Sequence, residues 1–308
     1  MKRLFAAIGA LALAAAVASA QDYNAGIETF NAGATALETS KTEALNSFMS
    51  ALAQFQACEE EEAAEMVAKC KDIIPSTILS IAKEQINGAE YDAALETLAK
   101  AESVAKEYGK AEVAEEAAGL VPNVFMRKGS SLIKAKDFAG AIPALQKVTE
   151  LTPEDGQAFL LLGQATMQTG NLDGAIDALK KASELGQEAK TAKLLSNCFL
   201  KKGQGLFKAG KNAEAIAALE ESNKYVESAN AYKLIAAAQT KSGKSADAIN
   251  TYKKYLEIDP NAKDAVDVMF TIAASAQKAG DKATAKEYYQ KLDGTKYAEQ
   301  AKAQLKTL

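Results

Sequence analysis

Lys241-Ser-Gly-Lys-Ser-Ala-Asp-Ala-Ile249 is the stretch on which the fold turns. A glycine among polar residues, followed by an acid and an Ala-Ile pair, reads as one helix ending and the next beginning. The phrase recurs as Gln168-Thr-Gly-Asn-Leu-Asp-Gly-Ala-Ile176 and Lys208-Ala-Gly-Lys-Asn-Ala-Glu-Ala-Ile216. Weaker copies are Lys134-Ala-Lys-Asp-Phe-Ala-Gly-Ala-Ile142, Asn87 to Leu95, and Lys278 to Lys286. A plain helical bundle with alanine-rich interfaces has no reason to repeat a turn phrase along the chain.

The alanine that closes each phrase is a ruler: Ala94, Ala141, Ala175, Ala215, Ala248 and Ala285, at intervals of 47, 34, 40, 33 and 37. Four residues later stand Leu98, Leu145, Leu179, Leu219, Tyr252 and Tyr289, and three further on Ala101, Val148, Ala182, Ser222, Tyr255 and Leu292. Steps of four and three place these residues on one helical face. Twelve residues before each ruler alanine is a small residue: Ala82, Gly129, Gly163, Gly203, Ala236 or Ala273. Four before that is an apolar one: Ile78, Phe125, Phe159, Phe199, Tyr232 or Met269. Small residues on both helices let them approach closely, while Gly170, Gly210, Gly243 and Gly280 end the first helix in a left-handed turn. Each unit is a helical hairpin, and one hairpin alone cannot bury its apolar face. No run alternates apolar and polar residues for long enough to predict a strand.

These residues resemble the tetratricopeptide repeat family, whose consensus is W-x2-L-G-x2-Y, then A-x3-F-x2-A and a terminal Pro. The best match is Phe159, Leu162, Gly163, Thr166, Ala175, Leu179 and Ala182. The Phe125 unit adds Pro153, and the Tyr232 unit adds Pro260. No unit has the first-position Trp, and the units of Ala94 and Ala285 lack the Gly. Six units run from about residue 73 to about 293, and a degenerate seventh covers roughly Tyr23 to Gln56, with Ala44, Phe48 and Ala51 in its second helix. The resemblance implies an all-α, right-handed superhelical α-solenoid of about six to seven helical hairpins. It would occupy residues 21–294, with a capping helix at 295–308 in which Ala298, Ala301 and Leu305 lie on the last hairpin and Lys302 and Lys306 face water.

The first units are lengthened. Asp72-Ile73-Ile74-Pro75 matches Gly119-Leu120-Val121-Pro122 at the same offset of 47, so the extension is itself a repeat. It reads as a longer first helix, with Pro near its start or at a kink. An insert between Gly186 and Asn197 lengthens a later unit in the same way.

Ahead of the array, Lys2 and Arg3 precede an apolar run from Leu4 to Val17 and the small-residue signal Ala18-Ser19-Ala20. That is the layout of a secretory signal peptide over residues 1–20, and the run is too short to span a membrane. Cleavage would leave an exported chain of 288 residues, with no span later in the sequence. Periplasm or cell envelope is the expected compartment, and a secreted protein would carry the same signal.

Composition narrows the function. The chain has 308 residues, no His and no Trp, and alanine is about one residue in five. Without His there is no Ser-His-Asp triad, Cys-His dyad, HExxH zinc site or histidine-ligated haem. With 36 basic against 40 acidic residues, the charge of −4 argues against a nucleic-acid surface. No glycine-rich phosphate loop is present, since Gly129-Ser130-Ser131 falls within a helix. No cofactor or metal is expected, and no catalytic set.

Cys58 and Cys70 are the candidate disulfide pair. On one continuous helix they would lie about 18 Å apart, so bonding requires a turn near Glu59–Glu62. Those four acids otherwise read as a helix start favoured by the macrodipole. Cys198 reads as a small packed residue.

The family resemblance also implies a groove, lined by the second, fifth, ninth and twelfth positions of each unit. The second positions are Asn123, Gln157, Asn197, Asn230 and Asp267, with Arg127, Lys201 and Lys233 nearby. A ladder of amides suits an extended peptide backbone, and the cations suit acidic side chains; the bland alternative is that these groups bridge neighbouring repeats. The family's Lys and Asn clamp for a C-terminal carboxylate is missing, because Met126 and Ser130 stand at the fifth and ninth places of the Phe125 unit. The expected function is a non-enzymatic protein–protein interaction scaffold of the bacterial cell envelope, binding a peptide or protein segment in the concave groove. The alternative is a ligand-binding accessory component of an envelope uptake or assembly system.

Overall fold

The computed structural model describes residues 23–308, so the signal-peptide reading at 1–20 lies outside the described residues. The described chain is helical, with no strand among the described residues. It divides after Lys128 into two compact units. The first holds α1 (Tyr23–Ala36), α2 (Lys41–Gln56), α3 (Ala63–Asn87), α4 (Tyr91–Glu107) and most of α5 (Ala111–Lys134). The second holds the end of α5, then α6 (Phe138–Leu151), α7 (Gly156–Gln168), α8 (Leu172–Ala182) and α9 (Glu188–Lys208). It continues with α10 (Asn212–Tyr225), α11 (Ala229–Lys241), α12 (Ser245–Ile258), α13 (Ala265–Lys278), α14 (Lys282–Gln290) and α15 (Ala298–Leu305).

Local chemistry sets the boundaries. Asp137, Asp155, Asn171, Ser228 and Asp281 each accept a hydrogen bond from a backbone N–H in the first turn of the helix that follows. At the other end, the Asp137, Lys211, Lys244 and Asp281 N–H groups reach back to the carbonyls of Leu132, Leu206, Gln239 and Ala276. This is the closing bond of a Schellman turn, and it needs the preceding residue in the left-handed region. Gly210, Gly243 and Gly280 supply that conformation at φ of 77°, 73° and 81°, and Gly170 adopts it at 87°. In two units the same place holds a residue with a Cβ: Ala89 at 59° and Lys136 at 62°. Such residues cost about 1–2 kcal/mol there. Lys136→Gly is therefore expected to stabilise the protein by about 0.5–1 kcal/mol, and Gly210→Ala to destabilise it by about 1–2 kcal/mol. Urea melts of the two variants check this; equal signs would contradict it.

The ruler residues are the core. All six alanines are buried, and so are Leu98, Leu145, Leu179, Leu219 and Tyr289 four residues on; only Tyr252 is half-exposed. Glycines mark the closest approaches. A Cβ on Gly129, Gly163 or Gly203 would fall 2.7, 2.6 and 2.6 Å from Leu145, Leu179 and Leu219, sixteen residues later in each case. In the first unit, Gly26 faces Phe55 and Gly33 faces Phe48, a crossed order that makes α1 and α2 antiparallel. Phe48 also packs on Phe30 with ring centres 5.2 Å apart, and Ala44, Phe48 and Ala51 are fully buried. The degenerate segment at the start of the array is thus a hairpin like the others. At its +7 place the α10 helix has Ser222 rather than an apolar residue, and its hydroxyl donates to the Ser196 carbonyl at 2.9 Å.

The lengthened units take the form of long continuous helices. Pro75 sits inside the 25 residues of α3 and Pro122 inside the 24 of α5, well past the first turn in both. The later insert lengthens the start of α9, which runs to 21 residues, and the π-helical turn Ser183–Gln187 before it redirects the chain from α8 through Gly186 at φ 83°. Glu59–Glu62 form the exposed turn before α3, as the macrodipole favours. Cys58, Cys70 and Cys198 are free thiols, so that turn does not join Cys58 to Cys70. Burial pushes the Cys70 thiol up to about 11 and raises that of Cys198 as well. At the C-terminus Ala301 is buried, Ala298 and Leu305 are half-buried, and Lys302 and Lys306 are exposed. The Gln277 amide of α13 donates to Gln304 of α15 at 3.0 Å, and Lys282 donates to the carbonyl of Leu308. Among the described residues no helix is long and apolar enough to cross a membrane.

Candidate functional site

The first helix of each hairpin carries the candidate residues. In the second unit these helices are α7, α9, α11 and α13; Gln157, Asn230 and Asp267 lie in the first turn of theirs, and Asn197 lies midway along the longer α9. Lys201 follows Asn197 by four residues and Lys233 follows Asn230 by three, so each cation shares a helix face with its amide. Asn123 and Arg127 stand in the same relation on α5, within the first unit, and both are exposed.

The structure separates these side chains into two groups. Gln157, Asn230 and Lys201 are exposed and Asn197 is half-buried, and within the described protein none of the four side chains takes a hydrogen-bond or ion-pair partner. Lys233 and Asp267 are committed instead. The Lys233 ammonium pairs with Asp264 at 2.5 Å and lies 5.9 Å from the centre of the Tyr255 ring. Asp267 pairs with Lys296 and accepts the Tyr297 hydroxyl at 2.7 Å. Bridging of neighbouring helices, the bland alternative, thus applies to the two charged residues and not to the amides.

The bridges carry the electrostatics of this face. Burial raises Asp264, but the Lys233 ammonium and the Tyr255 hydroxyl outweigh it and hold the carboxyl below its ordinary range. Lys296, and then Tyr297, lower Asp267 in the same sense. Burial and the bond to Asp264 raise the Tyr255 phenol. None of these groups is poised near neutral pH, so the face offers hydrogen bonds and charge rather than proton transfer.

Reading the sequence missed Asp264, Lys296 and Tyr297. Asp264 lies in the turn after Pro260, outside the helical periodicity, and Lys296 and Tyr297 come just before α15. Tyr255 stood on the ruler face as a core residue, but nothing in the spacing marked its hydroxyl as a partner for Asp264. A partial signal was available: a tyrosine at a place otherwise filled by Ala, Val, Ser or Leu brings a hydroxyl that burial must satisfy.

Models described as tetratricopeptide repeat match residues 132–198, 200–263 and 267–293. No curated protein matches the chain. Among solved structures, MamA is 25% identical over 60% of this chain and 96% of its own, with a TM-score of 0.38. YrrB, described as a TPR protein with an unusual peptide-binding site, is 17% identical over 60% of this chain and 91% of its own, at 0.37. The pilF protein of Pseudomonas aeruginosa is 18% identical over 55% and 74%, at 0.30.

Proposed function

The chain belongs to the tetratricopeptide repeat family, and from that premise we propose that it is a non-enzymatic scaffold that holds an extended segment of a protein partner. The segment lies along the face that the first helices of the second unit present. One observation carries the reading: Gln157, Asn197 and Asn230 occupy the same repeat position, and their amides are unpaired while Lys233 and Asp267 beside them are taken up in bridges. An amide offers a donor and an acceptor on one group, which matches the alternation of N–H and C=O along an extended backbone. Lys201 remains available for an acidic side chain of the partner. Helix α15 covers the end of the array, and residues 1–20 are the export signal that puts the protein in the cell envelope.

Crosslinking in envelope extracts, followed by identification of the captured protein, tests this. Two lost amide contacts at about 1 kcal/mol each predict that Asn197→Ala with Asn230→Ala weakens capture by roughly 30-fold. Undiminished capture by the double variant would remove the proposed face.

A further inference from the structure

Charge is divided unequally between the two helices of each hairpin. Of the first helices, α7 carries no charged residue, α9 five lysines and one acid, and α11 two lysines and no acid. The second helices α8, α10 and α12 carry seven acids and five lysines, the mixture expected of a solvated face. The acid of α9 is Glu188, at the helix start where the macrodipole favours it. Successive helical residues turn by about 100°, so Glu188 points away from Lys193, Asn197, Lys201, Gln204 and Lys208, which share an arc of about 80°. That stripe runs about 22 Å along α9. The steps from Asn197 to Gln204 and Lys208 recur as Gln157, Gln164 and Gln168 on α7 and as Asn230, Ala237 and Lys241 on α11, the helices that touch α9 on either side. Further carboxylates lie in the turns that lead into these helices. Asp155 caps α7, Glu184 pairs with Lys181, Glu227 accepts the Tyr232 hydroxyl, and Glu154 is exposed before α7. The turns that follow the three helices contain no acid.

Most of this positive charge is not cancelled within the protein. Asp173 pairs with Lys202 and Asp264 with Lys233. Lys190 donates to the Gln187 amide at 2.9 Å, and the Lys241 ammonium lies 4.3 Å from the centre of the Phe207 ring of α9; neither contact neutralises a charge. Lys193, Lys201 and Lys208 are exposed, and within the described protein they take no hydrogen-bond or ion-pair partner. The macrodipole accounts for Lys208 and Lys241, which stand in the last turns of their helices. It does not account for Lys193 and Lys201 in the body of α9. Uncancelled like charges on neighbouring helices repel one another, and an anionic partner relieves that repulsion.

We propose that the partner segment is an acid-rich peptide whose carboxylates meet the α9 lysines while its backbone meets the amides of α7, α9 and α11. This names the partner's chemistry for the face already proposed as a scaffold, and rests on that proposal. Charge complementarity selects the occupant, since a basic segment would add to the repulsion and a neutral one would leave it in place. The amides separate a peptide from a phosphate polymer: an extended peptide presents N–H and C=O in alternation, whereas a phosphate backbone offers acceptors alone. The cations agree with this. All are lysines, point charges that take separate carboxylates, and α7, α9 and α11 contain none of the arginines whose fork suits phosphate.

The test is fluorescence anisotropy with the full chain and three labelled probes: an oligoglutamate peptide, the oligoglutamine peptide of the same length, and a single-stranded oligonucleotide. About twelve residues suffice, because they span about 40 Å when extended and the helices pack about 10 Å apart. At about 0.1 M salt the glutamate peptide should bind at least tenfold more tightly than the glutamine peptide. Lys193→Glu with Lys201→Glu should weaken it by about tenfold, and the milder Lys193→Gln with Lys201→Gln by about threefold. Lys286→Glu with Lys306→Glu makes the same change in net charge on α14 and just past α15, and should cost less than about threefold because salt screens distant charges. All these lysines are exposed, so melting temperatures should stay near that of the wild type. Equal binding of the two peptides, a loss no greater in the α9 variants than in the control pair, or tighter binding of the oligonucleotide through Lys193 and Lys201 would each overturn the acidic-peptide assignment. Asn197→Ala with Asn230→Ala separates the two proposals: if the α9 variants lose the glutamate peptide and this variant retains it in full, the acidic class stands and the amide contacts fall.

Discussion

Leu219→Ala should lower the stability of the second unit by about 2–5 kcal/mol, the cost of removing a fully enclosed leucine and leaving a cavity behind. Leu219 is 0% exposed. It fills the hollow over Gly203, and packs in one cluster with Ile216 of its own helix, Leu200 of α9, and Ala231, Leu234 and Ile235 of the next hairpin. One side chain therefore closes its own hairpin and docks the following one. The complementary change is Gly203→Ala. Its Cβ would fall 2.6 Å from Leu219 Cγ and 3.3 Å from the Ala215 carbonyl oxygen. The leucine can shift, but the backbone on the other side limits how far, so a cost of about 1–3 kcal/mol follows despite alanine's better helix propensity. Gly129→Ala should cost less, because the atoms it meets belong to the Leu145 side chain alone. In urea melts, Gly203→Ala and Leu219→Ala together should cost less than the sum of the two, because the truncated side chain makes room for the new methyl. Additive costs would show that the two residues do not share one packing site.

Asp264→Ala is the second large effect, at about 2 kcal/mol near pH 7. Tyr255 is 4% exposed and its hydroxyl donates to Asp264, so removing the carboxylate leaves a buried hydroxyl unpaired as well as freeing Lys233. The ion pair adds little by itself, because the Lys233 and Asp264 side chains are 44% and 30% exposed and water screens them. Tyr255→Phe on the Asp264→Ala background should restore part of the loss by removing the stranded group. The pH dependence has a definite sign. The folded protein holds Asp264 below the ordinary carboxylate value of about 3.9, so the unfolded chain takes up the proton more readily. The stabilisation is complete above that value and is lost as the pH falls through the lower, folded one. The gap between wild type and Asp264→Ala should therefore be widest near neutrality and shrink on acidification below about pH 4. A gap that grows on acidification would contradict the bridge.

Most of the fold was legible because the residues that set it act locally. Gly170, Gly210, Gly243 and Gly280 announce left-handed turns, and the ruler alanines with the bulky residue four places on announce the buried face. Even the units that lack a turn glycine keep the phase, since Ala89 and Lys136 adopt the same conformation at a cost. The two prolines were harder to place. Pro75 and Pro122 lie in mid-helix because the flanking turns pack well enough to tolerate a missing N–H, a tertiary effect that propensity cannot foresee. The candidate face was half legible. Repeat position identified the residues, but whether a side chain is free or committed depends on partners such as Asp264 and Tyr297, which belong to turns and obey no period.

The quiet thiols have a kinetic use. Cys70 lies in α3 of the first unit and Cys198 in α9 of the second, both buried and both with depressed thiolate character. A thiol reagent reaches either one only when the surrounding helices part, so the rate at which each is modified is a clock on the opening of its own unit. Cys58 is half-buried and free, and reacts on a different timescale. One unmodified chain therefore carries a separate timer in each half. Comparing the two timers shows whether the halves open in concert or one at a time.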